Sequence, residues 1–316
     1  MIDNFKTVTF DLKQIDKVWS NTSLLYKSDK DYRVIDEVRN VEIRTFKNLI
    51  FTKFYNRLEI SGSIHYFFND GLHNANDFNI TDCISSFKGL IEYFYMSPTL
   101  FKVIGLEYGF NIQPQEEVNK VLKQLKFYGR NKILDSFDYD NFLVSGTNYK
   151  SVKIYNKTQD CPEHAKPNTL RFEVKTKERE FTKKLGINTL EDLLNKNIYR
   201  ILTESVLTEW SKVLIFDIEF VELSKKHTTE YWLDTIDNMH RNTFTNRKKD
   251  YFESLPKNSL FYRLQKQLKN KADKFLNCAY LTTEKKRHIV HNRTITKFHN
   301  EQIDKINKYQ YSSLYL

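Results

Sequence analysis

Two of the eight histidines lie close together in the segment GSIHYFFNDGLHNANDF, residues 62–78. His65 falls near the end of an alternating run, and His73 lies two residues after Gly71 and directly before Asn74. Imidazole groups bind divalent metals when further ligands converge on the same point. A core histidine, or a loop histidine that caps a turn with Asn74, would fit the same spacing without a metal. The segment therefore raises the question of a metal site and leaves it open.

Glu107 is the first carboxylate to consider, in the run VIGLEYGFNI at residues 103–112. Strict alternation of side chains places Gly105, Glu107 and Gly109 on one face of a strand, opposite a continuous apolar face. The two glycines remove side chains from around the carboxylate, so we expect room there for the backbone of a ligand. A glutamate on the solvated face of an ordinary strand is the alternative.

A tyrosine between two lysines is the third feature, in the run YKSVKIYNK at residues 149–157. Alternation puts Tyr149, Lys153, Tyr155 and Lys157 on the polar face of a strand. A tyrosine hydroxyl, with an unperturbed pKa of about 10, is a weak nucleophile, and nearby cations lower the cost of forming the phenolate. Because tyrosine favours strands and the chain has nineteen tyrosines, an ordinary strand residue would look the same.

The elements that must position these residues form an α+β pattern. Strands are predicted at 58–67, 103–112, 149–157 and 169–175, with further strands near the start of the chain and at 48–56. Apolar residues at helical spacing predict helices at 80–94 and 114–129, the second beginning with Pro and acidic residues and ending before Gly129. The sequence therefore predicts an antiparallel sheet with helices on its apolar face and an open polar face that carries the candidate site.

The charge of the chain is concentrated at its C-terminal end. Of the net +10, residues 221–316 carry +9, from 19 lysines and arginines against 10 acidic residues, with aromatic residues between the charges. We expect a domain at 1–220 and a basic, mainly helical region at 221–316 with a polyanionic partner, although a solvated helical surface is the plain alternative. Three widely spaced cysteines, a charged start and the absence of a long apolar run predict a soluble intracellular protein.

Four segments together resemble the filamentous-phage replication initiator family. The segment GSIHYFFNDGLHN is similar to the part of that family that carries a Gly-His-Asn signature, and VIGLEYGFN is similar to its Arg-Ile-Asp strand. The segment SVKIYNKTQD resembles the strand with the nicking tyrosine, and NTLRFEVKTKEREFTKKLGINTLEDLL resembles a Leu-Val-Arg-Phe-Glu strand with its following helix. The four occur in the order of the family and cover about residues 56–196.

The resemblance implies a rolling-circle replication initiator. Such an enzyme nicks one strand of origin DNA, stays attached through a 5′-phosphotyrosine and later rejoins the strand, working with a host helicase and polymerase in the host cytoplasm. It implies Tyr155 as the nucleophile with Lys153 and Lys157 beside it, and Mg²⁺ or Mn²⁺ held by Glu107 and His73. Tyr149, on the same strand face, is the fallback nucleophile. Two further candidate ligands are His65, which no histidine of the family matches, and Glu173, for which a structural charge pair with Arg171 is the alternative. The expected DNA contacts, with duplex and single strand, are Arg171, Arg247, Lys248, Lys249, Lys285, Lys286 and Arg287. No membrane contact is expected.

The sequence also departs from the family. Leu72 separates Gly71 from His73, the acidic strand position holds the longer Glu107, and no His-hydrophobic-His motif is present. Two other classes of function therefore stay open: a DNA-binding relative without catalysis, and a single-stranded nucleic-acid-binding or structural phage protein whose aromatic strands stack on bases. The absence of a Walker motif argues against ATPase activity.

Overall fold

The computed structural model describes residues 1–34, 37–135, 142–217, 226 and 228–281. Its strands are β1 (Ile2–Thr9), β2 (Leu25–Val34), β3 (Glu37–Phe46), β4 (Leu49–Lys53), β5 (Leu58–Ser63), β6 (Lys102–Ile112), β7 (Leu125–Tyr128), β8 (Asn131–Lys132), β9 (Leu134–Asp135), β10 (Phe142–Gly146), β11 (Lys150–Asn156), β12 (Leu170–Thr176) and β13 (Val213–Ile215). Its α-helices are α1 (Leu12–Trp19), α2 (Ile64–Phe68), α3 (Ile80–Tyr93), α4 (Val118–Gln124), α5 (Lys157–Asp160), α6 (Arg179–Lys184), α7 (Lys196–Trp210), α8 (Thr229–Asn238), α9 (Arg241–Ser254) and α10 (Leu260–Leu281).

The α+β class predicted from the sequence is confirmed. Within the described residues, ten strands form one antiparallel sheet in the order β2-β3-β4-β5-β1-β6-β12-β11-β10-β9, and β13, β7 and β8 form a second, smaller sheet. The centre of the large sheet, β1-β6-β12-β11, contains the strands on which the candidate residues lie. Central strands are paired on both sides, so their side chains are held in a fixed register.

Helices α3 and α7 cover the apolar face of this centre. Phe5 of β1 packs edge-on against Phe87 of α3, with ring centroids 5.3 Å apart. Phe172 of β12 makes the same kind of contact with Trp210 of α7, at 5.1 Å. Helix α3 begins where the Asn79 side chain accepts a hydrogen bond from the backbone of the first turn, as N-cap residues do. These contacts fix the sheet from one side and leave the polar side chains on the other.

Two predicted elements end earlier than the sequence pattern indicates. The predicted strand 58–67 stops at Ser63, whose hydroxyl accepts a hydrogen bond from Tyr66 N and caps helix α2. The predicted helix 114–129 extends only from Val118 to Gln124, because Leu125–Tyr128 pair with β13 as strand β7. A local helix cap ends the strand in the first place, and a pairing distant in sequence overrides the local periodicity in the second.

The described C-terminal residues are helical, as expected. One compact unit comprises Met1–Leu276, and a second comprises Asn277–Leu316, of which the structure describes only the end of α10. Within the first unit, Tyr251 of α9 donates a hydrogen bond to the backbone oxygen of Ile215, at 3.0 Å. The division near residue 220 stays a prediction, although elements on both sides of it belong to this unit. None of the described helices is long and apolar enough to cross a membrane.

Candidate active site

Three neighbouring strands place the candidate residues on one face in adjacent rows. In the register of β11, β12 and β6, Tyr155 lies opposite Arg171, and Arg171 lies opposite Asn111. Two residues along, Lys153 lies opposite Glu173. This confirms that alternation assigns the polar face correctly on these strands. The rows bring a phenol, a guanidinium and a carboxylate together at the centre of the sheet.

The hydroxyl of Tyr155 contacts Glu173. Its oxygen donates a hydrogen bond to Glu173 Oε1 at 3.3 Å, and the tyrosine is only 6 % exposed. Burial, and then the charge of Glu173, raise the pKa of Tyr155 well above its usual value. The hydroxyl is therefore protonated at neutral pH, and a reaction at its oxygen needs a base to take the proton.

Arg171 holds that carboxylate in position. Its Nε donates to Glu173 Oε1, its Nη1 donates to Asn111 Oδ1 at 2.9 Å, and its Nη2 lies 3.3 Å from Asp3 Oδ2. Burial raises the pKa of Glu173, and the charge of Asp3 adds to this against the opposing effect of Arg171. Because Arg171 is 3 % exposed, it does not present its guanidinium to solvent in this conformation. Its predicted DNA contact stays a prediction.

Asp3 belongs to the same cluster, and the sequence did not indicate it. Strict alternation along β1 would put Asp3 on the apolar face. The pairing of β1 with β6 contains an irregularity between Ile2 and Phe5, and the Asp3 side chain lies among the polar residues, where it accepts hydrogen bonds from Ser63 at 2.5 Å and Asn74 at 2.8 Å. Burial would raise the pKa of Asp3, but Arg171 and then the Ser63 hydroxyl lower it. A bulge of this kind has no signal in the periodicity.

Lys157 directly follows strand β11, as the first residue of helix α5, and is buried. Its Nζ donates to Asn74 Oδ1 at 2.7 Å and to Asp160 Oδ2 at 2.6 Å, and it lies 5.7 Å from the centre of the Tyr155 ring. The Asn156 side chain accepts a hydrogen bond from Gln159 N and starts helix α5, which turns the chain away from the sheet here. The predicted position of Lys157 beside the tyrosine is thus observed.

The segment after β5 covers this part of the polar face. Helix α2 and the following residues supply Asn74, which bridges Asp3 and Lys157 by the two hydrogen bonds of its amide. The sequence predicts an open face, but Tyr155 and Glu173 are both buried.

The carboxylate of Glu107 forms salt bridges with two lysines. Its Oε2 is 2.9 Å from Lys153 Nζ and its Oε1 is 2.7 Å from Lys175 Nζ. Burial would raise the pKa of Glu107, but these lysines hold it below its usual value. The expectation that Gly109 leaves room for a ligand is wrong. A Cβ there would lie 1.9 Å from the backbone oxygen of Phe172, so the space is filled by strand β12.

The two histidines of the opening segment have different surroundings. His65 is 1 % exposed, stacks on Phe78 with centroids 4.5 Å apart, and its Nε2 lies 2.6 Å from Asn76 Oδ1. Burial lowers the pKa of His65 to about 3. His73 is partly exposed and stacks on His164, at 4.1 Å between centroids. Burial, then the charges of His164 and Lys157, lower the pKa of His73.

The expected metal ligands do not converge. Across the described part of the chain, no group of three or more His, Cys, Asp or Glu side chains is arranged to hold an ion. Glu107 and Glu173 are neutralised by Lys153 and Arg171, and the accessible ring nitrogen of His65 is taken by an amide. In this conformation the four side chains do not fit one Mg²⁺ or Mn²⁺ ion, and metal binding stays a prediction.

The remaining predicted residues lie apart from this cluster. Tyr149 is 62 % exposed at the opposite end of β11. Arg247 donates to Thr235 Oγ1 at 2.8 Å, and Lys248 donates to the backbone oxygen of Ser211 at 2.9 Å. Burial, with the charge of Lys212, lowers the pKa of Lys248 to about 8. Lys249 is exposed. Three further predicted contacts lie outside the described residues: Lys285, Lys286 and Arg287.

Comparisons with known proteins add little to this geometry. No protein-family model and no curated protein matches the sequence. Among solved structures, the chain is similar to a rolling-circle replication initiator protein from Geobacillus stearothermophilus, with a TM-score of 0.42 and 10 % sequence identity. The similarity covers 79 % of this chain and 96 % of that one. A similarity at this level supports no argument about individual residues.

Proposed function

We propose that the chain initiates rolling-circle replication by nicking and rejoining one strand of origin DNA through a 5′-phosphotyrosine on Tyr155. The observation that carries the proposal is the hydrogen bond from the Tyr155 hydroxyl to the Glu173 carboxylate, at 3.3 Å, on the strands that resemble the initiator family. A nucleophile that contacts a base, which is itself oriented by a third group, is the arrangement that activates hydroxyl groups in enzymes. Arg171 is the third group here.

The proposed step moves one proton and exchanges one bond. Glu173 takes the proton of the Tyr155 hydroxyl as the phenolic oxygen attacks the phosphorus of the scissile phosphodiester. The bond from phosphorus to the 3′ oxygen breaks, and that oxygen leaves as a free 3′-OH after accepting a proton. Rejoining is the reverse, with the 3′-OH attacking the phosphotyrosine.

Lys157 would bind the phosphate in this proposal, in exchange for its contacts with Asn74 and Asp160. It lies beside the Tyr155 ring, and a lysine binds phosphate as a point charge. A cation at this position also stabilises the phenolate relative to the phenol. Lys153 would contribute if DNA binding displaced it from Glu107. We route no step through a metal ion, and dependence on Mg²⁺ or Mn²⁺ stays part of the proposal because the family resemblance implies it. The host polymerase would extend the free 3′-OH, and the host helicase would separate the strands.

The burial of Tyr155 favours a second candidate, in which the chain binds origin or single-stranded DNA without cutting it. A tyrosine that is 6 % exposed does not meet a phosphodiester in this conformation. The two candidates differ in one product, which is a covalent link between protein and DNA.

The test is a denaturing gel of the full chain with labelled single-stranded origin DNA, in buffers with EDTA, Mg²⁺ or Mn²⁺. We expect a protease-sensitive shifted band from the wild type and none from Tyr155→Phe, which keeps the ring and removes only the nucleophilic oxygen. Tyr149→Phe is the matched control, because it changes an exposed tyrosine next to the same strand and should leave the band intact. A covalent band from Tyr155→Phe would disprove the assignment. A wild type that binds but never forms the band would favour the second candidate.

A further inference from the structure

A groove next to the candidate active site is lined with lysines and amides, and nothing in the chemistry above uses it. It lies between the 75–77 loop, the end of β6 and helix α10, and its volume is about 360 Å³. The polar residues that line it include Lys166, Lys271, Lys274, Asn76, Asn111 and Gln267. We refer to it as the lysine groove.

Helix α10 forms one wall of the groove, because its apolar residues pack against the rest of the first unit and hold the helix in place. Leu264, Leu268, Ala272 and Phe275 are buried, and the Phe275 ring lies 5.3 Å from that of Phe110 on β6. Its groove-lining residues, 267, 270, 271 and 274, are separated by three or four positions, so they share one face of the helix. The wall is therefore set by core packing rather than by a loose surface contact.

The groove is positively charged. Its lysines outnumber its single acidic residue, Asp77, by three to one. Lys271 pairs with Asp77, whereas Lys166 and Lys274 are exposed and make no ion pair with an acidic residue in the described ranges. Burial would raise the pKa of Asp77, but Lys271, followed by Lys166 and Lys274, lowers it. An anionic ligand therefore finds two exposed cations, Lys166 and Lys274, with no carboxylate at ion-pair distance in the described residues.

The amides indicate what else the ligand carries. Gln267 and Asn270 of helix α10 offer both donors and acceptors, which is the set that reads the edges of nucleobases. Asn76 and Asn111 also line the groove, but their amides are hydrogen-bonded within the protein. The side-chain oxygen of Gln267 is buried and has no hydrogen-bond partner, although such atoms are normally paired. A volume of about 360 Å³ lies at the low end of the roughly 300–1,000 Å³ typical of small-ligand sites, so the groove fits a single small unit.

The groove connects directly to the proposed nicking site. Asn111 lines the groove and accepts a hydrogen bond from Arg171 Nη1 at 2.9 Å. Thr169 also lines it, and its backbone oxygen accepts a hydrogen bond from Lys157 N at 2.8 Å. A strand whose phosphate reached Tyr155 would thus have its neighbouring nucleotide within reach of the groove.

We propose that the lysine groove binds one nucleotide of single-stranded DNA beside the scissile phosphate, with Lys166 and Lys274 on phosphates and the amides of Gln267 and Asn270 on the base. The position of the nucleotide next to the scissile phosphate rests on the proposed function. The choice of a nucleotide as the ligand rests on the residues that line the groove. Lysines that contact phosphates supply affinity that falls with salt, and amide contacts supply preference for a base.

The test measures binding of a fluorescent single-stranded DNA by anisotropy over a range of salt, with the full chain carrying Tyr155→Phe so that no cleavage occurs. The groove variant is Lys166→Ala with Lys274→Ala. The matched control is Lys266→Ala with Lys269→Ala, which removes two exposed lysines of α10 that do not line the groove. Both pairs are on the surface, so each protein should fold with stability close to that of its parent.

We expect the groove variant to lower the slope of log affinity against log salt by about 1.4, since each phosphate contact to a single strand contributes about 0.7. The control should keep its slope. Equal slopes for the two variants would overturn the proposal, and so would RNA of the same sequence binding more tightly than DNA through the same lysines. A wild type that forms no covalent adduct, together with a reduced slope in the groove variant, would refute nicking and retain the groove. A covalent adduct from the wild type, together with an unchanged salt slope in the groove variant, would support nicking and refute binding in the groove.

Discussion

Arg171→Met should strongly destabilise the protein, because it removes the only guanidinium from a buried cluster that also contains Asp3 and Glu173. Both carboxyl side chains are 2 % exposed, so water does not replace the lost partner. At 3.3 Å and an effective dielectric constant of about 20, the contact with Asp3 alone represents roughly 5 kcal/mol of Coulomb energy. Much of that is offset by desolvation, and breaking a buried pair by removing one partner costs about 3–5 kcal/mol.

The stability lost in Arg171→Met should be larger at neutral pH than at acidic pH. In the wild type the pKa of Asp3 is lowered from 3.8, so its stabilising contribution is present at neutral pH and is lost as the pH falls through its folded value. Without Arg171, the largest effect that opposes burial is lost at both carboxyl groups, so we expect the pKa of Asp3 to rise and that of Glu173 to rise further. The folded variant then binds more protons than the unfolded chain, so its deficit should be largest at pH 7 and smaller at pH 5.

The assay is urea unfolding at both pH values, with thermal melting as a second measure. A loss of about 3–5 kcal/mol corresponds to a melting temperature roughly 10 °C lower for a unit of this size. Arg57→Met is the matched control, because Arg57 pairs with Glu59 two residues away, as Arg171 does with Glu173, but its side chain is 31 % exposed. Exposed pairs contribute about 0–1 kcal/mol. Similar losses for the two variants, or an Arg171→Met deficit that grows at pH 5, would refute the reasoning.

Two further predictions concern the histidines and the metal. Since burial lowers the pKa of His65 to about 3, against 6.5 in the unfolded chain, this group should lower stability by about 2 kcal/mol from pH 7 to pH 5. The buried Met1 amine, whose pKa is lowered to about 5, adds to the loss in the same range, so His65→Phe should reduce the loss by about 2 kcal/mol without abolishing it. An unchanged loss for this variant in urea unfolding would contradict the assignment to His65. If Mg²⁺ or Mn²⁺ binds as the family resemblance implies, Glu107→Gln and His73→Ala should each raise the metal concentration needed for nicking, whereas unchanged titrations for both would exclude them as ligands.

The periodicity of apolar and polar residues was enough to predict much of the fold. The alternation in TLRFEVK, and in VIGLEYGFNI from Leu106 onward, assigned the apolar and polar faces of β12 and β6 correctly, because a strand in the middle of a sheet has one face against helices and must separate its side chains by type. It was wrong at the start of β6, where an irregularity in the pairing with β1 leaves Val103 buried and Ile104 only half-buried. It also placed Tyr155, Arg171 and Glu173 on a common face. The α+β class followed from the same patterns.

The tertiary structure decided how these residues are connected. Asp3 enters the cluster through an irregularity in β1, and Gly109 serves the close approach of β12, so neither role follows from counting every second residue. The strand that contains Glu107 supplies a lysine-bound carboxylate rather than an open one, and His65 lies in a helix under an aromatic ring. Side-chain spacing along one strand depends only on local backbone geometry, whereas pairing partners, cover and burial depend on segments far apart in sequence. That is why the sequence by itself identified the face of the sheet that carries the candidate site, and only the folded chain showed which groups on that face contact one another.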